Sequence, residues 1–139
     1  MKNKNYLLFL PFLLLLLASC GTKTLPQIIE GDWKVTEIDL PKSDLAPSIT
    51  ESVEKEALST TYSFLADGKL EVTSGLMPEG AKGTWKLNEE KGELFIQYTA
   101  MGTEFPSTYQ IKMVDETTIT FEQKLGGDLG TLKITLKKE

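Results

Sequence analysis

From Tyr62 to Leu136 the apolar residues of this chain return on every second position, in run after run. Tyr62 and Phe64 form one pair, Leu70 and Val72 the next, followed by Trp85 with Leu87 and by Leu94, Ile96 and Tyr98. Tyr109, Ile111 and Met113, then Ile119 and Phe121, then Leu132, Ile134 and Leu136 complete the series. A period of two places these side chains on one face of a strand. Upstream, Trp33 and Val35 alternate, while Ile38 and Leu40 continue in the opposite phase, which predicts a bulge near Thr36 or Glu37. Eight strands are therefore expected, near residues 32–40, 61–66, 69–74, 82–87, 93–98, 107–114, 117–122 and 131–137. A one-faced sheet of this kind keeps two open edges unless it closes. The expected fold is all-β, an eight-stranded antiparallel up-and-down barrel.

One short helix is expected between strands 1 and 2. Pro41 to Pro47 breaks the strand, and Ser48-Ile49-Thr50-Glu51 fits a capping box with Ser48 as N-cap. Ile49, Val53 and Ala57 share a face with Leu58 beside it, so this helix should cover something apolar. Glu51, Glu54 and Glu56 read as its solvated side, and Asp67-Gly68 as a two-residue hairpin turn.

Alternate loops of such a barrel lie at the same end. Asp67-Gly68, Asn88–Gly92 and Asp115-Glu116 are short and polar and share one end. Segments 41–60, 74–81, 99–106 and 123–130 are longer and share the other. The longer loops hold Leu76, Met77, Met101, Phe105, Leu125 and Leu129, and apolar residues in loops call for a reason. These six are the candidate ligand-binding residues, around a mouth. Trp33 and Trp85 are expected to plug the closed end as core.

The chain opens with Lys2 and Lys4 followed by an apolar stretch from Tyr6 to Ala18, which is 13 residues where a spanning helix needs roughly 20. Leu17-Ala18-Ser19-Cys20 resembles a bacterial lipobox. The resemblance implies that residues 1–19 are a signal peptide and that Cys20 carries a diacylglycerol and a further acyl group such as palmitate. Two or more acyl chains anchor stably where one holds only marginally. Gly21 follows the cysteine where inner-membrane lipoproteins commonly carry an aspartate, so the implied location is the cell envelope, at the outer membrane. Residues 20–30 read as a tether containing Pro26, and residues 31–139 as a single barrel domain. The tether enters at strand 1, so the mouth is expected to face away from the bilayer.

Composition narrows the chemistry. Loss of Lys2 and Lys4 with the signal peptide moves the formal charge from −5 to −7, which disfavours nucleic acid as a partner. The chain has no histidine, and all 15 of its basic residues are lysine. It therefore lacks the usual general base and zinc ligand and the bidentate clamp for phosphate. With Cys20 acylated no thiolate nucleophile remains. The expectation is a protein that is not an enzyme and has no cofactor, metal site or catalytic residue.

Gly31-Asp32-Trp33 matches the Gly-x-Trp opening of lipocalins. Phe64-Leu65-Ala66-Asp67-Gly68-Lys69-Leu70 and Gly83-Thr84-Trp85-Lys86-Leu87 look like two more recurring segments of a bacterial relative of that family. Over residues 30–138 the chain resembles the lipocalin-like lipoproteins of Gram-negative bacteria. The resemblance implies an eight-stranded barrel, in some members with a ligand cavity. The larger lipocalins pack a late arginine over the opening tryptophan, and this chain has none. Two functions are expected from this reading. One is a membrane-anchored barrel binding a small apolar ligand at its loop end. The alternative is a filled barrel that docks another envelope protein.

Overall fold

A computed structural model describes residues 23–41 and 46–139; residues 1–19, read above as a signal peptide, and Cys20 lie outside the described residues. The chain runs α1 (Leu25–Ile29), β1 (Gly31–Asp39), α2 (Pro47–Leu58), β2 (Thr61–Phe64), β3 (Lys69–Thr73), β4 (Ala81–Asn88), β5 (Glu93–Ala100), β6 (Thr103–Asp115), β7 (Thr118–Lys124) and β8 (Thr131–Lys138). The strands form a closed barrel in sequence order, every pair antiparallel, with β8 returning to β1. The β1–β8 register slips between Val35 and Glu37, the place where the apolar phase of β1 reverses. The bulge thus keeps both Val35 and Ile38 directed at the core.

The barrel is filled. Trp33, Phe64, Leu70, Leu94, Ile96, Ile119, Phe121 and Leu136 are all but inaccessible to solvent. Phe64 meets Trp85 edge-on at 5.6 Å and Phe121 at 6.3 Å, while Tyr109 stacks on Phe121 at 5.3 Å. Offset and edge-on arrangements of this kind favour the ring quadrupoles. An eight-stranded barrel is just wide enough for such side chains to occupy it.

Four local expectations are revised. The segment read as a tether is shortened, because Leu25–Ile29 forms α1 and Ile29 is completely buried under the barrel. A single turn has no apolar period to reveal it. Its start is set by Pro26 and by the Thr24 N–H, which donates to Gln27 Oε1 at 3.0 Å. The longer helix is capped at Ala46 rather than at Ser48, since Pro47 sits at N1, where its fixed φ suits the first turn and its missing N–H is no loss. The turn after β2 involves three residues, Ala66–Gly68, with Asp67 at φ 63° and Gly68 at φ 71°. Residues 103–106 belong to β6, not to a loop, so the β5–β6 hairpin turns on Met101-Gly102 alone.

All eight paired strands and the core lie within the described residues, so Lys23–Glu139 is a unit with its own hydrophobic interior. Lys138 Nζ closes its lower end, donating to the Ile28 carbonyl at 2.9 Å while lying over the Trp33 ring.

Candidate functional site: the groove beneath the mouth helix

The helix α2 lies at the mouth and buries none of its residues. Ile49 and Val53 remain 48% and 43% exposed, so the apolar face expected to seal against the barrel is only half covered. Between this face and the rim runs an open groove of about 660 Å³. That lies within the range of about 300–1,000 Å³ usual for small-molecule sites.

Two adjacent stripes of α2 form one wall. Ile49, Val53 and Ala57 make the apolar stripe, and Ser48, Ser52 and Glu56 the polar one, each at four-residue spacing. The barrel supplies the other side through Tyr62, Val72, Tyr98, Leu76 and Met77, with Thr60 and Ser74 at the rim. The last turn of α2 is tied down by Ser59 Oγ and Thr60 Oγ1, which donate to the Glu56 carbonyl at 2.7 and 3.1 Å. The Val35 N–H donates to Thr60 O at 3.0 Å and joins this turn to the bulged part of β1.

Glu56 links helix and barrel. Its Oε1 accepts the Leu76 N–H at 3.0 Å, and beside it the Gly75 N–H donates to Ser59 Oγ at 2.8 Å. A Cβ on Gly75 would stand 3.0 Å from Glu56 Oε2, so glycine permits this approach. The nearby Ser74 hydroxyl holds the Glu56 carboxyl below the ordinary carboxylate range against the opposing effect of burial, with lesser help from the Leu76 N–H and the Ser59 hydroxyl. Ser74 itself is only 7% exposed, and its Oγ stands without a hydrogen-bond partner at full geometry. The environment favours the charged form of Glu56, so at neutral pH this group accepts hydrogen bonds and attracts cations rather than donating protons.

Three tyrosines lie below. Burial pushes the Tyr62 phenol far up, and the neighbouring Tyr109 and Tyr98 add to the effect. Burial also raises Tyr98, and raises Tyr109 against the opposing influence of the Ser107 hydroxyl. The pocket floor is thus aromatic and neutral.

Of the six mouth residues named from sequence, Leu76 and Met77 line this groove. Phe105, 44% exposed, stacks on its cross-strand partner Tyr98 at 5.5 Å and does not line the groove. Met101 stands at the hairpin tip, 87% exposed. Leu125 and Leu129 sit in the β7–β8 loop, away from the residues that line the groove. Sequence reasoning missed Glu56, Ser74, Tyr62 and Tyr98. The paired stripes at 48/52/56 and 49/53/57 were the available signal for the helix wall. Only the barrel register brings the tyrosines there.

A second concavity, of about 670 Å³, lies on the outer wall across β5 to β8, lined by Phe95, Thr108, Gln110, Glu122 and Lys124. Among the described residues, no three histidine, cysteine, aspartate or glutamate side chains converge as a metal site would require. No described helix is long and apolar enough to cross a membrane.

No protein-family model matches the sequence, and no curated protein matches it. Among solved structures, the crystal structure of a DUF4847 family protein from Bacteroides vulgatus is similar at 13% identity. The likeness covers 81% of this chain and 94% of that one, with a TM-score of 0.50. At that identity the likeness speaks to the barrel fold alone.

Proposed function

We propose that this chain is a lipocalin-like lipoprotein of the cell envelope, anchored through acylated Cys20, that binds a small apolar or amphiphilic molecule in the groove beneath α2. The observation that carries the reading is the half-exposed apolar face of a helix that leaves about 660 Å³ open over an aromatic floor. A filled barrel would ordinarily seat such a face, because each buried methylene contributes about 0.8 kcal/mol. In this reading the ligand, rather than the barrel, completes the burial. The helix α1 lies at the opposite end, so an anchor preceding it would hold the groove away from the bilayer. The same reading assigns the protein no catalytic role.

Native mass spectrometry of the chain isolated from its own host tests the binding reading. A bound amphiphile is expected, reduced strongly in Val53→Asp. A ligand-free protein that also takes up no added amphiphile would overturn it. Fatty-acid labelling tests the anchor: Cys20→Ser is expected to lose both label and membrane association.

The second reading, docking of another envelope protein, is favoured by the outer-wall concavity around partly exposed Phe95 and by the filled interior. Phe95→Ala should then release the partner and leave ligand uptake unchanged.

A further inference from the structure

The binding reading leaves open what kind of head group the groove accepts, and its lining constrains this sharply. Among the described lining residues Glu56 is the only charged one. One of its oxygen lone pairs is engaged by the Leu76 N–H, while Ser59 Oγ, whose proton goes to the Glu56 backbone carbonyl, stands 3.5 Å from Oε2. A carboxylate offers about four acceptor sites, so capacity remains for a ligand. Beside it the buried Ser74 Oγ makes no hydrogen bond of full geometry, its hydroxyl only approaching Glu56, so its oxygen is free to accept from a ligand's polar group. Tyr62 and Tyr98 add aromatic rings to the same lining, and ring faces attract ammonium groups. Ile49, Val53, Leu76 and Met77 supply apolar surface for a chain.

Resting on the binding reading, we infer that the groove selects a single-chain amphiphile with a primary ammonium head, placed between Glu56, Ser74 and the tyrosine rings, with its alkyl chain along α2. A fatty-acid carboxylate would set like charge against Glu56 with no lysine in the described lining to offset it. A long-chain alcohol would satisfy Ser74 but forgo the attraction of Glu56.

The test is calorimetric titration of Lys23–Glu139 with dodecylamine, dodecanol and dodecanoate, each below its micelle-forming concentration. The amine is expected to bind about tenfold more tightly than the alcohol, from one partly exposed charge pair and one cation–π contact together. The carboxylate should bind most weakly. In Glu56→Gln the amide oxygen can still accept the Leu76 N–H, so the fold should survive, and the amine-to-alcohol ratio should fall toward one. Equal binding of all three, tightest binding of dodecanoate, or a ratio unchanged in Glu56→Gln would overturn this inference while leaving groove binding in place. Binding of none of the three would instead overturn the binding reading on which it rests.

Discussion

Lys138 lies over Trp33, its Nζ 5.3 Å from the ring centroid, and from there donates to the Ile28 carbonyl. One side chain from the end of β8 thus touches the start of β1 and the helix α1. The contact joins the first and last strands to α1 at the closed end of the barrel. Trp33 holds the same helix from the other side, its Nε1 donating to Ile29 O at 2.6 Å.

Lys138→Met keeps the apolar stem and removes the charge. It is expected to cost about 1 kcal/mol in urea unfolding, from one cation–π contact and one hydrogen bond. Lys138→Arg should cost less. Gly31→Ala should also loosen this contact, because Gly31 has φ 127° and a Cβ there would stand 2.8 Å from Lys138 Cε. Strain of that kind costs about 1–3 kcal/mol. Wild-type stability in both Lys138→Met and Gly31→Ala would show that the cap contributes nothing.

Trp85→Ala is expected to destabilise by about 3–5 kcal/mol. The ring packs on Phe64, and its Nε1 donates to Leu65 O at 2.9 Å, so the substitution opens a void and strands an acceptor. Two residues earlier, Gly83→Ala should be as damaging for the opposite reason. Its Cβ would press on the Gln97 carbonyl and stand 2.6 Å from Tyr98 Cα, forcing β4 from β5. A loss below about 1 kcal/mol at either site in chemical denaturation would contradict this packing.

Met101 occupies φ 51° at the hairpin tip, a region that favours glycine or asparagine. Met101→Gly is expected to raise stability by about 0.5–1 kcal/mol. Leu76→Ser, at a side chain 69% exposed, should change it by less than about 0.5 kcal/mol. Met77→Ser should cost clearly more than Leu76→Ser, because Met77 packs against the core. Thermal melts of the three variants check the order.

Alkaline pH should unfold the domain through its tyrosines. The phenols of Tyr62, Tyr98 and Tyr109 are all raised by burial, so the folded state holds their protons more tightly than the unfolded chain does. Their contribution is fully present below the unfolded tyrosine value of about 10 and is lost as pH rises above it. Tyr62→Phe should flatten this alkaline decline, measured by denaturant titration across the range. An unchanged slope would place the Tyr62 hydroxyl in solvent. Glu56 has the opposite sign: its lowered value contributes stability above the ordinary carboxylate range, lost as pH falls through it.

The alternation of residues such as Leu94-Ile96-Tyr98, the phase change between Val35 and Ile38, and the parity of the loops determined the strands, the bulge, the closed barrel and which end carries the mouth. Each is a local signal, because a strand's two faces and a barrel's two ends repeat every second residue and every second loop. The β5–β6 hairpin was legible only in part, since Phe105 and Pro106 read as loop until pairing with Gln97 and Tyr98 extended the strand. Tertiary structure alone decided that the interior is filled, that Ile29 and Lys138 close the lower end, and that α2 stands off the rim. It also set Glu56 against Leu76, 20 residues away, and brought Tyr62 and Tyr98 beneath the helix. These outcomes depend on which side chains from distant strands meet across the barrel. That is set by register and side-chain volume, which a period of two leaves open.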